Sequence, residues 1–209
     1  MITIEFARTL YPAEADSAHD FDHVLRVVAM ADRLARAEGA DREVVQAAAL
    51  LHDIGLDEGR AGHETSAANR AKEILRGRGY DNTFCAAVAH AIESHRFRSG
   101  PTPQTLEAKV LFDADKLDAI GAIGVARAFA FGAHRGQKLW GEVPPAYTDQ
   151  MNGVEADPRE HTAVHEFHVK LSKIKDRMFT VTGKKIAAER HAFMTKFYEQ
   201  LDREVKGTA

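Results

Sequence analysis

The run Gln46-Ala47-Ala48-Ala49-Leu50-Leu51-His52-Asp53-Ile54-Gly55 carries an adjacent imidazole and carboxylate at the end of an apolar stretch. Alanine and leucine favour helix, and a glycine just beyond suits its termination. A helix that is apolar nearly all round is a buried one, so His52 and Asp53 are expected at its inner end. A buried carboxylate without a partner costs far more than one that is paired or coordinated. A bound cation would balance Asp53 and orient His52. A helix end emerging at the surface, where His and Asp are ordinary, accounts for the dipeptide equally well, so other residues must decide.

His23 sits in the first turn of a helix beginning at Phe21, beside the apolar face Val24, Leu25, Val28, Leu34 and Ala35. Asp115 belongs to a helix expected over Leu106–Ile120, on one face with Ala108 and Leu111, and Asp118 follows one turn later. Asp113 points about 200° away from Asp115 at ~100° per residue, so the two cannot address one metal from a regular helix. His95 continues the stripe Cys85, Val88 and Ile92 and is expected to point inward, with His90 off that stripe. His23, His52, Asp53 and Asp115 together offer imidazole nitrogen and carboxylate oxygen, a mixture that first-row divalent metals accept. Coordination positions left to water would make such a site catalytic.

The elements that must position these side chains are helices. Apolar periods near 3.6 recur throughout and alternating patterns are almost absent, which predicts an all-α fold. The helix from Phe21 ends near Gly39, with Asp16, Ser17 and Asp20 as candidate caps; Asp41 caps the helix that leads to His52. A helix over 64–76 closes at Gly77 and Gly79, and another starts near Asp81. Two long helices are expected at the end, the first burying Val164, Phe167, Leu171, Ile174 and Met178, the second Ile186, Phe193, Phe197 and Leu201. His161, His165 and His168 flank the first of these stripes and are read as packing residues, not ligands. One domain is expected over 1–209, with a metal-binding core over 16–130, a long loop or flap over 133–160 rich in turn signals, and C-terminal helices over 161–206.

Composition narrows the partners. Acidic and basic residues are interspersed and the net charge is -3, which gives no footprint for nucleic acid and no polybasic patch for a membrane. No apolar run approaches the ~20 residues of a membrane span. The N-terminus lacks the regions of a signal peptide, and Cys85 is the single cysteine, so a reducing cytoplasm is the expected location. Eleven histidines are the compositional oddity.

Asp22-His23-Val24-Leu25-Arg26-Val27, Leu50-Leu51-His52-Asp53-Ile54-Gly55 and Asp113-Ala114-Asp115-Lys116-Leu117-Asp118 resemble the motifs of the HD-domain metal-dependent phosphohydrolases. Asp113 to Ala122 is similar to a segment of a small bacterial branch that includes a nucleoside triphosphate pyrophosphohydrolase. Phe167, Lys170-Leu171 and Met178…Thr182-Gly183 resemble that branch as well. The resemblance implies a helical bundle around one divalent cation (Mn²⁺, Mg²⁺, Co²⁺, Ni²⁺, Fe²⁺ or Zn²⁺) held by His23, His52, Asp53 and Asp115. It implies phosphate contact by Lys116, and leaves a second metal at His63 and His95 open. The expected reaction is hydrolysis of a phosphate ester or anhydride in a small phosphorylated substrate, nearest to a nucleotide. His63, Glu64, His95 and Asp118 are candidates for proton transfer. Arg127, Lys184 and Arg190 are candidate substrate cations, joined by Lys138 and Trp140 in the flap. A nucleotide-binding regulator without turnover and a di-iron oxygenase of the same superfamily are the alternatives.

Overall fold

Helical periods become helices throughout the residues that the computed structural model describes: 2–12, 21–55, 62–96, 100–144 and 159–209. Among them the order is α1 (Ile4–Arg8), α2 (Phe21–Glu38), α3 (Arg42–Leu51), α4 (His63–Gly77), α5 (Asn82–Glu93), α6 (Leu106–Asp118), α7 (Gly121–His134), α8 (Ala163–Val169), a 3-10 segment (Leu171–Arg177) and α9 (Val181–Val205). No strand occurs among the described residues, and the protein is all-α. No described helix is long and apolar enough to cross a membrane. The candidate caps Asp16, Ser17 and Asp20, and the flap residues 145–158, lie outside the described residues.

The chain sorts into two compact units. The first gathers the described residues up to Lys116 together with Phe179–Gly183. Its core is lined by Val24, Val27 and Leu34 of α2, Leu50 and Leu51 of α3, Ala67 and Leu75 of α4, Val88 and Ile92 of α5, and Leu111 of α6. Within it α3 packs against α2 and α5, and α4 against α5. The side chain of Asp41 accepts from the N–H groups of Glu43 and Val44, and Asp81 accepts from Phe84. Such caps satisfy donors that a helix start leaves free, and they fix where α3 and α5 begin. From Val44 to Leu51 only Gln46 escapes full burial, so α3 is the apolar rod that its sequence predicts.

Unit 1 also holds the entry to α9. The Asp113 carboxylate, fully buried, accepts from the N–H of Phe179 at 2.9 Å and from the N–H and hydroxyl of Thr180 at 2.7 Å each. A Cβ on Gly183 would lie 2.3 Å from Asp113 Oδ2, so only glycine fits there. A negative charge at a helix start is favourable as well. Asp113 thus ties α6 to the residues opening α9.

The second unit gathers the described residues of Leu117–Met178 and Lys184–Ala209. Two expectations change here. The stripe from Val164 to Met178 is not one long helix: α8 ends at Val169 and a 3-10 segment follows. Residues three apart share a face in a 3-10 helix too, so the Leu171/Ile174 spacing does not distinguish the two. Phe193 is 48% exposed and Phe197 and Leu201 are only half-buried; α9 buries Ile186 as expected, together with Ala187, Met194 and Tyr198. The stripe lies one residue round from the expected one because Met194 and Tyr198 belong to it. Phe167 stacks on Tyr198 with centroids 4.4 Å apart.

The C-terminal histidines are engaged by this unit. His165 closes a capping box with Thr162, and its Nε2 meets the Glu142 carbonyl at 3.0 Å. His161 Nε2 is 3.0 Å from Glu166, which also pairs with Lys170 at 2.9 Å. Burial would raise the Glu166 carboxyl, but these two partners hold it at about 2, below the ordinary 4.5. A carboxylate lowered on folding contributes stability above its unfolded value and loses it as pH falls towards its folded one. Glu166→Gln should therefore flatten the acid-side loss of stability between about pH 4.5 and about 2, by at most about 3 kcal/mol. Urea unfolding of both proteins across that window is the measurement; parallel curves would show that the pair contributes nothing.

Candidate metal centre

The site lies in the first unit. α2 brings His23 in its first turn, α3 ends on His52, Asp53 follows in the next turn, α4 starts with His63 and Glu64, His95 follows α5, and α6 carries Asp115. His23, His52, Asp53, His63, Glu64, His95 and Asp115 are all buried. Gly55 permits this convergence: a Cβ there would come within 2.6 Å of the His63 carbonyl and 2.8 Å of the Ala67 nitrogen. The turn after α3 is thereby seated on the start of α4.

Asp53 occupies the middle. Its Oδ2 lies 3.4 Å from His52 Nε2 and 3.8 Å from His23 Nε2. Its Oδ1 lies 3.5 Å from His63 Nε2 and 3.7 Å from His95 Nε2. Asp115 Oδ1 is 3.4 Å from His23 Nε2, and its Oδ2 is 2.5 Å from Lys116 Nζ. Two sets of side chains can therefore each converge on one ion, His23 with His52 and Asp115, and His63 with His95 and Asp53. The four rings adjoin edge to face, with neighbouring centroids 5.3 to 5.5 Å apart.

The donor chemistry fits a cation. His52 Nδ1 donates to the Ala49 carbonyl at 2.8 Å, which leaves a lone pair on Nε2. That Nε2 is buried and has no hydrogen-bond partner. His95 Nδ1 likewise donates to the Ile92 carbonyl, and His63 Nδ1 faces Glu64 at 3.4 Å. Imidazoles fixed through one nitrogen with the other turned towards the ion position are the usual arrangement around metals. Electrostatics agree. Burial alone would raise Asp53, yet His52, the bond from His63, and His95 and His23 hold it far below the carboxylate range. Asp115 is also held well below despite burial, through Lys116 and His23. Burial depresses His95 to about 4, so it is neutral, the form that binds metal.

The remaining sequence candidates divide between the units. Lys116 is on unit 1 beside Asp115. Asp118 is on unit 2, where Arg127 pairs with it at 2.7 Å. Arg190 of the same unit donates to the Leu117 carbonyl at 2.5 Å, Lys184 is exposed, and exposed Lys138 pairs with Glu160 at 2.9 Å. Sequence reasoning missed Arg96, whose guanidinium holds Glu64 at 3.1 Å, and Arg70, which donates to the Ile54 carbonyl. No spacing rule signals either, since each acts on a group far away in the chain.

A family model described as HD domain matches residues 20–120. The uncharacterized protein YpgQ of Bacillus subtilis is 34% identical over 198 residues, 93% of this chain and 88% of the relative. The crystal structure of YpgQ in complex with ADP superposes with a TM-score of 0.77 at 31% identity, covering 99% of this chain and 100% of that one. An HD-superfamily hydrolase from Bacillus thuringiensis gives a TM-score of 0.74 at 31% identity, covering 97% of this chain and 94% of that one.

Proposed function

This chain belongs to the HD domain family, and from that membership we propose that it is a metal-dependent phosphohydrolase whose substrate is a nucleotide. The observation that carries the reading is Asp53 set among four imidazoles, with the buried Nε2 of His52 lacking any hydrogen-bond partner. His23, His52, Asp53 and Asp115 would hold the cation. A divalent cation there supplies an acidified water and polarises a phosphoryl oxygen.

The chain's own residues do the rest. Lys116, adjacent to Asp115, offsets charge on non-bridging phosphoryl oxygens, where phosphoryl-transfer catalysis gains most. His63 and His95 accept or deliver a proton at Nε2. Glu64, fixed by Arg96, orients His63 through Nδ1. Asp118, Arg127, Lys184 and Arg190 remain proposals for a role in catalysis or substrate binding. The ADP complex of YpgQ supports a nucleotide over other phosphate esters. A pyrophosphohydrolase acting on a (deoxy)nucleoside triphosphate and a nucleotidase are the two specific forms. The test is a screen of nucleoside mono-, di- and triphosphates with Mn²⁺, Mg²⁺, Co²⁺ and Ni²⁺, products resolved as phosphate or pyrophosphate. Turnover of a nucleotide with one of these metals is the expected result. Nucleotide binding without turnover would make the protein a regulator instead.

A second reading has its own support, since His63 and His95 face the other oxygen of Asp53. If both are ligands, the site holds two metals, and with iron the oxygenase chemistry of the superfamily becomes available. Counting metals per chain and following dioxygen consumption separates this reading from the first.

A further inference from the structure

Tyr11 lies in a stretch without sequence pattern, ahead of the residues that the family model matches. Its hydroxyl nevertheless reaches the turn that bears the ligands. The Oη–H donates to the Leu50 carbonyl at 3.0 Å, in the last turn of α3, where a helix leaves carbonyls without partners of its own. On its other side the Tyr11 ring packs edge-on against Phe21, with centroids 5.2 Å apart, and the Arg8 guanidinium lies 4.3 Å over that Phe21 ring. Phe21 opens α2, two residues before His23. A single side chain thus joins the helix start that carries His23 to the helix end that carries His52 and Asp53.

We infer that Tyr11 is a positioning residue of the metal centre, its hydroxyl holding the last turn of α3, which leads directly into His52 and Asp53, and its ring setting the first turn of α2. Ligands on separate helices must hold their mutual geometry without the cation, or binding bears the cost of ordering them. Groups that orient ligands from outside the coordination set are typically worth ~10–100-fold in metal affinity.

The inference rests on the metal reading above, and one experiment tests both separately. Mn²⁺ alone is titrated into the metal-free full-length protein by calorimetry, for wild type, Tyr11→Phe, Tyr11→Leu and Tyr80→Phe. The Tyr80 hydroxyl is buried without a hydrogen-bond partner, so its loss controls for removing a phenolic oxygen. The expected result is Mn²⁺ binding weakened about 10-fold in Tyr11→Phe, at least as much in Tyr11→Leu, and unchanged in Tyr80→Phe. Melting of the metal-free proteins is followed in parallel, and Tyr11→Phe should match wild type there. Affinity retained in Tyr11→Phe but lost in Tyr11→Leu would reduce Tyr11 to a packing residue and overturn the inference. So would a fall in metal-free melting temperature large enough to account for the weaker binding. Wild type that binds no Mn²⁺ would sink the metal reading itself.

Discussion

Asp53→Ala is expected to leave the protein unable to retain a divalent cation through dialysis and to lower hydrolysis by about 10³-fold or more. No other side chain in the centre addresses all four imidazoles: Oδ2 faces His23 and His52, and Oδ1 faces His63 and His95. Losing it removes the carboxylate from the set with His63 and His95 and the oxygen that faces His23 and His52 beside the other set. Asp115→Ala should also release the metal, because Asp115 completes the set with His23 and His52. His63→Ala and His95→Ala divide the one-metal and two-metal readings. In the first, both keep a full complement of metal and lose only turnover; in the second, both lose half of it. Elemental analysis of the dialysed variants, with kcat measured on the same samples, reads all of this. An Asp53→Ala protein that keeps its metal would remove Asp53 from the centre.

Asp113→Ala should be the most damaging single change to stability, at about 3–4 kcal/mol, with metal binding per folded molecule unaffected. Three donors point at this fully buried carboxylate. Each is left without an acceptor at a fully buried position. Burial pushes the Asp113 carboxyl up against the bonds from Phe179 and Thr180. The asparagine variant retains one acceptor oxygen and should lose less than the alanine one. Urea unfolding gives the stability loss and calorimetry with Mn²⁺ gives the binding. A stable Asp113→Ala protein without metal affinity would mean that Asp113, not Asp115, faces the cation.

That contrast also shows what the sequence made legible. Two carboxylates separated by one residue on a helix must point to different sides. Periodicity alone sent Asp115 towards the ligands and Asp113 elsewhere, and Asp113 indeed binds the residues before α9. Apolarity from Ala47 to Leu51 was enough to expect a buried α3, but a surface helix end explained His52 and Asp53 equally well until His23 and Asp115 were set beside them. Local rules failed where partners are remote. The role of Asp113 needs Thr180, Glu64 needs Arg96, and Leu50 needs Tyr11, and none of these pairs follows from spacing. Asp53 as the shared centre was also out of reach. A motif says which residues can ligate, whereas the division of two carboxylate oxygens between four rings depends on where α4 and the end of α5 come to lie. The shift of the α9 stripe from Phe193 to Met194 has a similar origin, because either residue is apolar enough to serve.

The bond between Asp113 and Thr180 spans 67 residues of chain. Translation adds roughly 5–20 residues per second, so a growing chain holds α6 for about 3–13 s before its acceptor meets its donors. All of the candidate ligands, from His23 to Asp115, have been made by then, while the carboxylate of Asp113 still lacks its three donors. Unit 1 is therefore begun first and completed only when Phe179–Gly183 have been added.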